Sequence, residues 1–122
     1  MKIAVTSLGE SLESPIDQRF GRARFFVLYD LGGGEWTVHD NKQNLEAAQG
    51  AGIQAAQHVV DLGAEALITG HCGPKAFATL SAADIAIYQE ASGSVQDAVN
   101  AYRAGSLKKS GQADVEAGYG SV

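Results

Sequence analysis

Ala66-Leu67-Ile68-Thr69-Gly70-His71-Cys72-Gly73-Pro74-Lys75 decides the fold, because a buried-type run passes without a spacer into a glycine turn and a helix start. Ala66 to Thr69 lacks polar alternation, as expected of a central strand in a parallel sheet, covered on both faces. Pro74 suits the first helical position, where the missing N–H would have no intrahelical partner anyway. A helix is predicted from Lys75 to about Ala83, and Ile85 to Tyr88 follows as another strand. Strand, helix and strand in that order form a βαβ unit, whose parallel pairing requires a right-handed crossover.

Upstream, Ile53, Ala56 and Val60 fall at helical spacing within Ala51 to Leu62, and Gly63 closes that helix. Ile3 to Leu8, Phe25 to Tyr29 and Trp36 to His39 read as strands. The turn Leu31-Gly32-Gly33-Gly34 joins the last two as a hairpin. Downstream, Ser94 caps a final helix with Val95, Ala98, Val99 and Tyr102 on one face, ended by Gly105. The order β-β-β-α-β-α-β-α predicts an α/β fold with a ribonuclease-H-like motif. Its five-stranded mixed sheet has the order 3-2-1-4-5, with flanking helices. One domain is expected over 1–107. The chain from Ser106 onward lacks periodicity, and 108–122 is expected to be a flexible tail.

Composition narrows the function. Apolar residues make up 45% of the 122, enough for one continuous core. The net charge of −5 disfavours nucleic acid and anionic membrane surfaces, which both select Lys and Arg. No apolar run approaches the roughly 18–20 residues of a spanning helix. Met1-Lys2-Ile3-Ala4-Val5 reads as a first strand and not a signal peptide, so a cytoplasmic location is the default expectation. The single cysteine, Cys72, excludes an internal disulfide and an all-cysteine zinc or iron–sulfur site within one chain.

Two segments could carry chemistry. The long polar segment Gly9 to Ala23 runs into Asp17-Gln18-Arg19-Phe20-Gly21-Arg22-Ala23-Arg24, which places three arginines within six residues. Guanidinium groups are always charged, weakly hydrated and fork-shaped, and Gly21 permits close backbone approach, so this loop could hold an anion. The competing reading is a solvated loop whose arginines pair with Asp17, Glu13 or Asp30. The second segment is Gly70-His71-Cys72-Gly73-Pro74-Lys75, at the carboxyl end of a parallel strand and the N-terminus of a helix. Ligands gather at that place in open α/β sheets, and the helix dipole favours an anion there. His71 and Cys72 could also ligate a soft metal. The alternative is a tight glycine turn with incidental side chains. Gly50-Ala51-Gly52 reads first as a plain loop-to-helix junction, although it could add a backbone anion site. His39 and His58 read as satisfied surface or rim histidines.

Enzyme signatures are absent: there is no phosphate-binding Gly-x-x-x-x-Gly-Lys-Ser/Thr loop, no Gly-x-Gly-x-x-Gly and no Gly-x-Ser-x-Gly elbow. A nuclease on this fold needs clustered carboxylates, and Ala4, Val5, Thr6 and Ser7 stand where the leading aspartate would be. A thiol enzyme built on Cys72 would have only His71 as a base. No enzymatic activity is expected.

Met1-Lys2-Ile3-Ala4-Val5-Thr6-Ser7, Phe20-Gly21-Arg22-Ala23, Gly50-Ala51-Gly52-Ile53-Gln54-Ala55-Ala56 and Gly70-x-x-Gly73-Pro74-x-Ala76-Phe77 together resemble the dinitrogenase iron–molybdenum cofactor-binding family. The resemblance runs in order to about residue 107 and leans toward the orange-protein group, which holds a molybdenum–copper sulfide cluster non-covalently. It implies non-catalytic binding or carrying of a preformed metal–sulfur cluster of molybdenum–copper or iron–molybdenum type. Arg19, Phe20, Gly21, Arg22, Gly70, His71, Cys72, Gly73 and Lys75 would form the site, with His71 and Cys72 as candidate metal ligands. A cofactor-assembly protein or a partition-type ATPase is the implied partner. The alternative is a regulatory interaction module that uses the same loops.

Overall fold

The computed structural model describes residues 1–42 and 50–111. The expected positions within 43–49 and 112–122 lie outside the described residues. Five strands, β1 (Lys2–Ser7), β2 (Phe25–Asp30), β3 (Trp36–Asp40), β4 (Ala66–Ile68) and β5 (Ala86–Tyr88), form one sheet in the order β3-β2-β1-β4-β5. Three helices of the described residues, α1 (Ala51–Asp61), α2 (Pro74–Ala82) and α3 (Val95–Arg103), pack against it. β1 is antiparallel to β2 and parallel to β4, β2 is antiparallel to β3, and β4 is parallel to β5. The expected mixed sheet is therefore the observed one.

The period-two geometry of strands sorts the apolar runs onto two faces. Ala4, Phe26, Leu28, Leu67 and Ile87 meet Ala55, Ala56 and Val59 of α1 and Ala76 and Leu80 of α2. Ile3, Val5, Val27, Tyr29, Ala66 and Ile68 meet Val95, Ala98 and Val99 of α3. Both faces are covered, which is why the strand sequences read as continuously apolar.

Helix ends follow the sequence signals. Pro74 opens α2 after Gly73, and Gly63, at φ 81°, takes the left-handed position that ends α1. Ser94 and Asp97 form a reciprocal capping box at the start of α3. Lys109 bridges Tyr88, and Ser110 N donates to Ile87 O at 2.8 Å, so the start of the expected tail is tied along β5. The reason is that β5 would otherwise present unpaired backbone groups at the sheet edge.

Candidate anion-binding site

The carboxyl ends of β1, β4 and β5 share one end of the sheet, and both candidate segments lie there. Past β1, Asp17 N donates to Thr6 O at 3.0 Å, and the Thr6 hydroxyl donates to Asp17 O at 2.7 Å. Thr6 also bonds Thr69, just past β4, at 2.9 Å between hydroxyl oxygens. Asp17 is buried, and its carboxylate accepts from Arg19 N and Arg24 N, each at 3.1 Å. One carboxylate thus ties both ends of the arginine loop. Arg19 Nε lies 3.6 Å from Asp17 Oδ1 while its side chain stays 59% exposed. The pairing reading is therefore correct for Arg19, yet it leaves the guanidinium at the surface.

The arginine loop and the glycine turn are clipped together. His71 N donates to Gln18 O at 2.8 Å and Phe20 N donates to His71 O at 3.1 Å, a short parallel bridge between Arg19 and His71. A methyl group at Gly70 would lie 2.6 Å from the Gln18 Cα and carbonyl oxygen and would also strike its Oε1, so only glycine permits this approach. Glu90 N donates to Gly70 O at 2.7 Å from an uncommon left-handed conformation, φ 64°.

The third segment joins them. A Cβ at Gly21 would sit 3.0 Å from Gly52 Cα and N, and one at Gly52 would sit 3.4 Å from Ala76 Cβ. The arginine loop, the start of α1 and the start of α2 therefore meet nearly backbone to backbone. Gly50 and Gly73 are the two N-caps, without side-chain caps, and neither helix has an acid in its first turn. The first intrahelical bonds run from Gln54 N to Gly50 O and from Phe77 N to Gly73 O. The N–H groups of Ala51, Gly52, Ile53, Lys75 and Ala76 precede those bonds and carry the positive end of each helix dipole. Ile53 is exposed and adds an apolar edge. Gly50-Ala51-Gly52 is more than a plain junction, because it is packed against the arginine loop.

Other sequence candidates fall differently. Arg22 is half-buried, His71 is partly exposed, and Lys75 is exposed in the first turn of α2. Phe20 is buried, its ring centroid 5.7 Å from that of Phe26, so it anchors the loop from within the core. Cys72 is 0% exposed and packs in the same core cluster. The expectation that its thiol lines the site does not match this placement: Cys72 faces the core, with its Sγ 3.7 Å from Gly73 O. Its backbone N–H is also spoken for, donating to Gln89 Oε1 at 3.0 Å. Among the described residues, no group of three or more His, Cys, Asp or Glu could hold a metal ion.

Sequence reasoning missed the buried polar frame. Asn41 is wholly buried, and its amide donates to Gly21 O at 3.2 Å and Ala23 O at 2.9 Å. Gln18 Nε2 donates to Ala91 O at 3.1 Å. A signal was present: Thr6, Thr69, Gln89 and Asn41 are the polar residues closing or following β1, β4, β5 and β3, all at one end of the sheet.

Comparison with known proteins agrees with this geometry. Residues 1–105 match the family model described as dinitrogenase iron-molybdenum cofactor, and the chain belongs to that family. It is 38% identical to the apo orange protein of Desulfovibrio gigas, with a TM-score of 0.91, covering 93% of this chain and 95% of that one. A Thermotoga protein described as belonging to the DUF35 family is 36% identical, with a TM-score of 0.78, covering 88% of this chain and 91% of that one. An uncharacterised protein of Methanocaldococcus jannaschii is 27% identical over 105 residues, covering 78% of this chain and 86% of the relative. No helix among the described residues is long and apolar enough to cross a membrane.

Proposed function

We propose that this member of the dinitrogenase iron–molybdenum cofactor family binds and carries a preformed anionic metal–sulfur cluster without acting on it chemically. One observation carries the reading: two glycine-capped helix N-termini meet the arginine loop at a single end of the sheet. Backbone N–H groups at helix starts attract anions, and two such starts side by side attract a large one. Arg19 and Arg22 supply charge through weakly hydrated guanidinium groups, which suit a soft polyanion better than ammonium does. Ile53 offers an apolar edge for sulfide-rich faces.

The cargo class is a molybdenum–copper sulfide or iron–molybdenum cluster that brings its own sulfides. Buried Cys72 fits this, since no protein thiol at the rim is required. Family membership supports a hand-over role beside cofactor-assembly proteins.

The test adds tetrathiomolybdate and copper(II) to the purified chain and follows visible charge-transfer absorption. Wild type should develop and retain the bands through desalting, and an Arg22→Ala/His71→Ala double variant should lose them. Bands equally strong in the variant would remove the proposed site.

A further inference from the structure

A second cluster of ligating groups lies away from this cup, on the α1 face of β2 and β3. His39 on β3 and His58 on α1 have ring centroids 6.3 Å apart, with planes at 83°. Phe26, paired with His39 across the ladder, stacks its ring edge-on to His58 at 5.6 Å and forms an apolar floor. His58 lies seven residues beyond Ala51, which at about 1.5 Å rise per residue puts it roughly 10 Å down α1 from the cup.

His58 Nδ1 is buried and has no hydrogen-bond partner, alone in this among the buried side-chain nitrogens and oxygens of the described residues. A buried polar atom left so is costly, and an ion or a donor group at that atom removes the cost. His39 is already oriented: its Nε2 lies 2.8 Å from Thr37 Oγ1. With Nε2–H donated to that hydroxyl, Nδ1 keeps its lone pair, the arrangement by which an outer partner fixes a ligating histidine. Two imidazoles sharing one tetrahedral ion through bonds of about 2.0–2.1 Å have ring centroids roughly 5–5.5 Å apart. The observed 6.3 Å is about 1 Å wider, so binding an ion must draw the two rings together by that amount.

We propose that His39 and His58 form a two-imidazole site for a divalent transition-metal ion such as Zn(II), independent of the cluster-binding cup. The donor set is nitrogen only, which suits zinc, copper or nickel over calcium or magnesium. No third His, Cys, Asp or Glu among the described residues joins the pair.

The test is calorimetric titration of Zn(II) into the tag-free, cluster-free chain. One ion per chain should bind, at least tenfold more weakly in His39→Gln and in His58→Gln, and with unchanged affinity in His71→Gln. Absence of binding to wild type, binding that survives in the His39→Gln/His58→Gln variant, or loss in His71→Gln alone would overturn the proposal. Should His58→Gln unfold, the side-chain nitrogen resonances of wild type decide. Zn(II) should move those of His39 and His58 together and leave His71 in place, and movement at His71 instead refutes the site.

Discussion

Gly70→Ala should separate the two halves of the cup while leaving the sheet intact. The added methyl would stand 2.6 Å from the Cα and carbonyl oxygen of Gln18, and both are backbone atoms that no rotamer change can withdraw. To reach ordinary contact the Gln18–Phe20 segment must retreat by about 1 Å. That retreat breaks or stretches the bonds from His71 N to Gln18 O and from Phe20 N to His71 O. Two net hydrogen bonds plus the cost of overpacking amount to about 2–4 kcal/mol. With a urea dependence of about 2 kcal/mol per molar, the unfolding midpoint should fall by about 1–2 M. Hydrogen exchange gives the local readout: amides of Phe20 and His71 should lose protection before those of β1 and β4. Gly73→Ala is the control in the same turn, since a Cβ there meets nothing within 4 Å. An alanine at 70 with wild-type midpoint and protected Phe20 and His71 amides would refute the argument that close backbone approach holds the cup together.

Three further outcomes follow from other residues. Asp17→Asn replaces one of two carboxylate oxygens that each accept a backbone N–H, so a part-buried donor loses its acceptor. Urea unfolding should show a loss of about 1–3 kcal/mol, and a change under 0.5 kcal/mol would contradict the role given to Asp17. The pKa of His39 is lowered from 6.5 by desolvation first and His58 second, so below that pH the unfolded chain takes up its proton more readily than the folded one. Stability should hold above 6.5 and decline as pH falls through the lower folded value. Urea midpoints measured across that window should decline less in His39→Gln than in wild type, and parallel declines would count against it. Gly73→Asp should cap α2, raising stability by roughly 0.3–1 kcal/mol through the dipole. The same change should abolish retention of the thiomolybdate–copper chromophore, and a variant that keeps the colour would show that the start of α2 does not hold the cluster.

The sheet was legible because its signals are local. β4 passes directly into Gly70 and Pro74, and the hairpin turn at Gly32–Gly34 forces β2 and β3 together. The arginine loop and the glycine turn were legible as residue types, and their meeting was an inference that the Arg19–His71 bridge bears out. The inward turn of Cys72 was not legible, since which of two adjacent turn residues faces the core depends on Leu80, Ala76 and Gln89 arriving from other elements. Asn41 was hidden for a similar reason. It follows an exposed edge strand, and only the return of the Gly21–Ala23 carbonyls makes it a buried donor. The strapping of β5 by Lys109 and Ser110 leaves no periodic trace, because it consists of backbone bonds.

The contrast among the three helix starts bears on why the cup is built as it is. α3, on the opposite face, satisfies its own N-terminus through Ser94 and Asp97. Such a cap is worth about 1 kcal/mol, and the same chemistry at Gly50 and Gly73 would stabilise α1 and α2. It would also fill the donors with protein oxygen and place negative charge where an anionic cargo must sit. Glycine at both positions leaves those N–H groups to solvent or ligand, while glycine at 21 lets the arginine loop press against Gly52 at the start of α1. The rigidity lost at the helix starts is recovered beneath them by groups that never reach the rim: Asp17 on the arginine loop, Asn41 on Gly21 and Ala23, and Gln89 on the turn. A frame of this kind keeps the donors pre-aimed, so binding need not order them. Arginines on an unstructured tail could supply the same charge only at the entropic cost of fixing it.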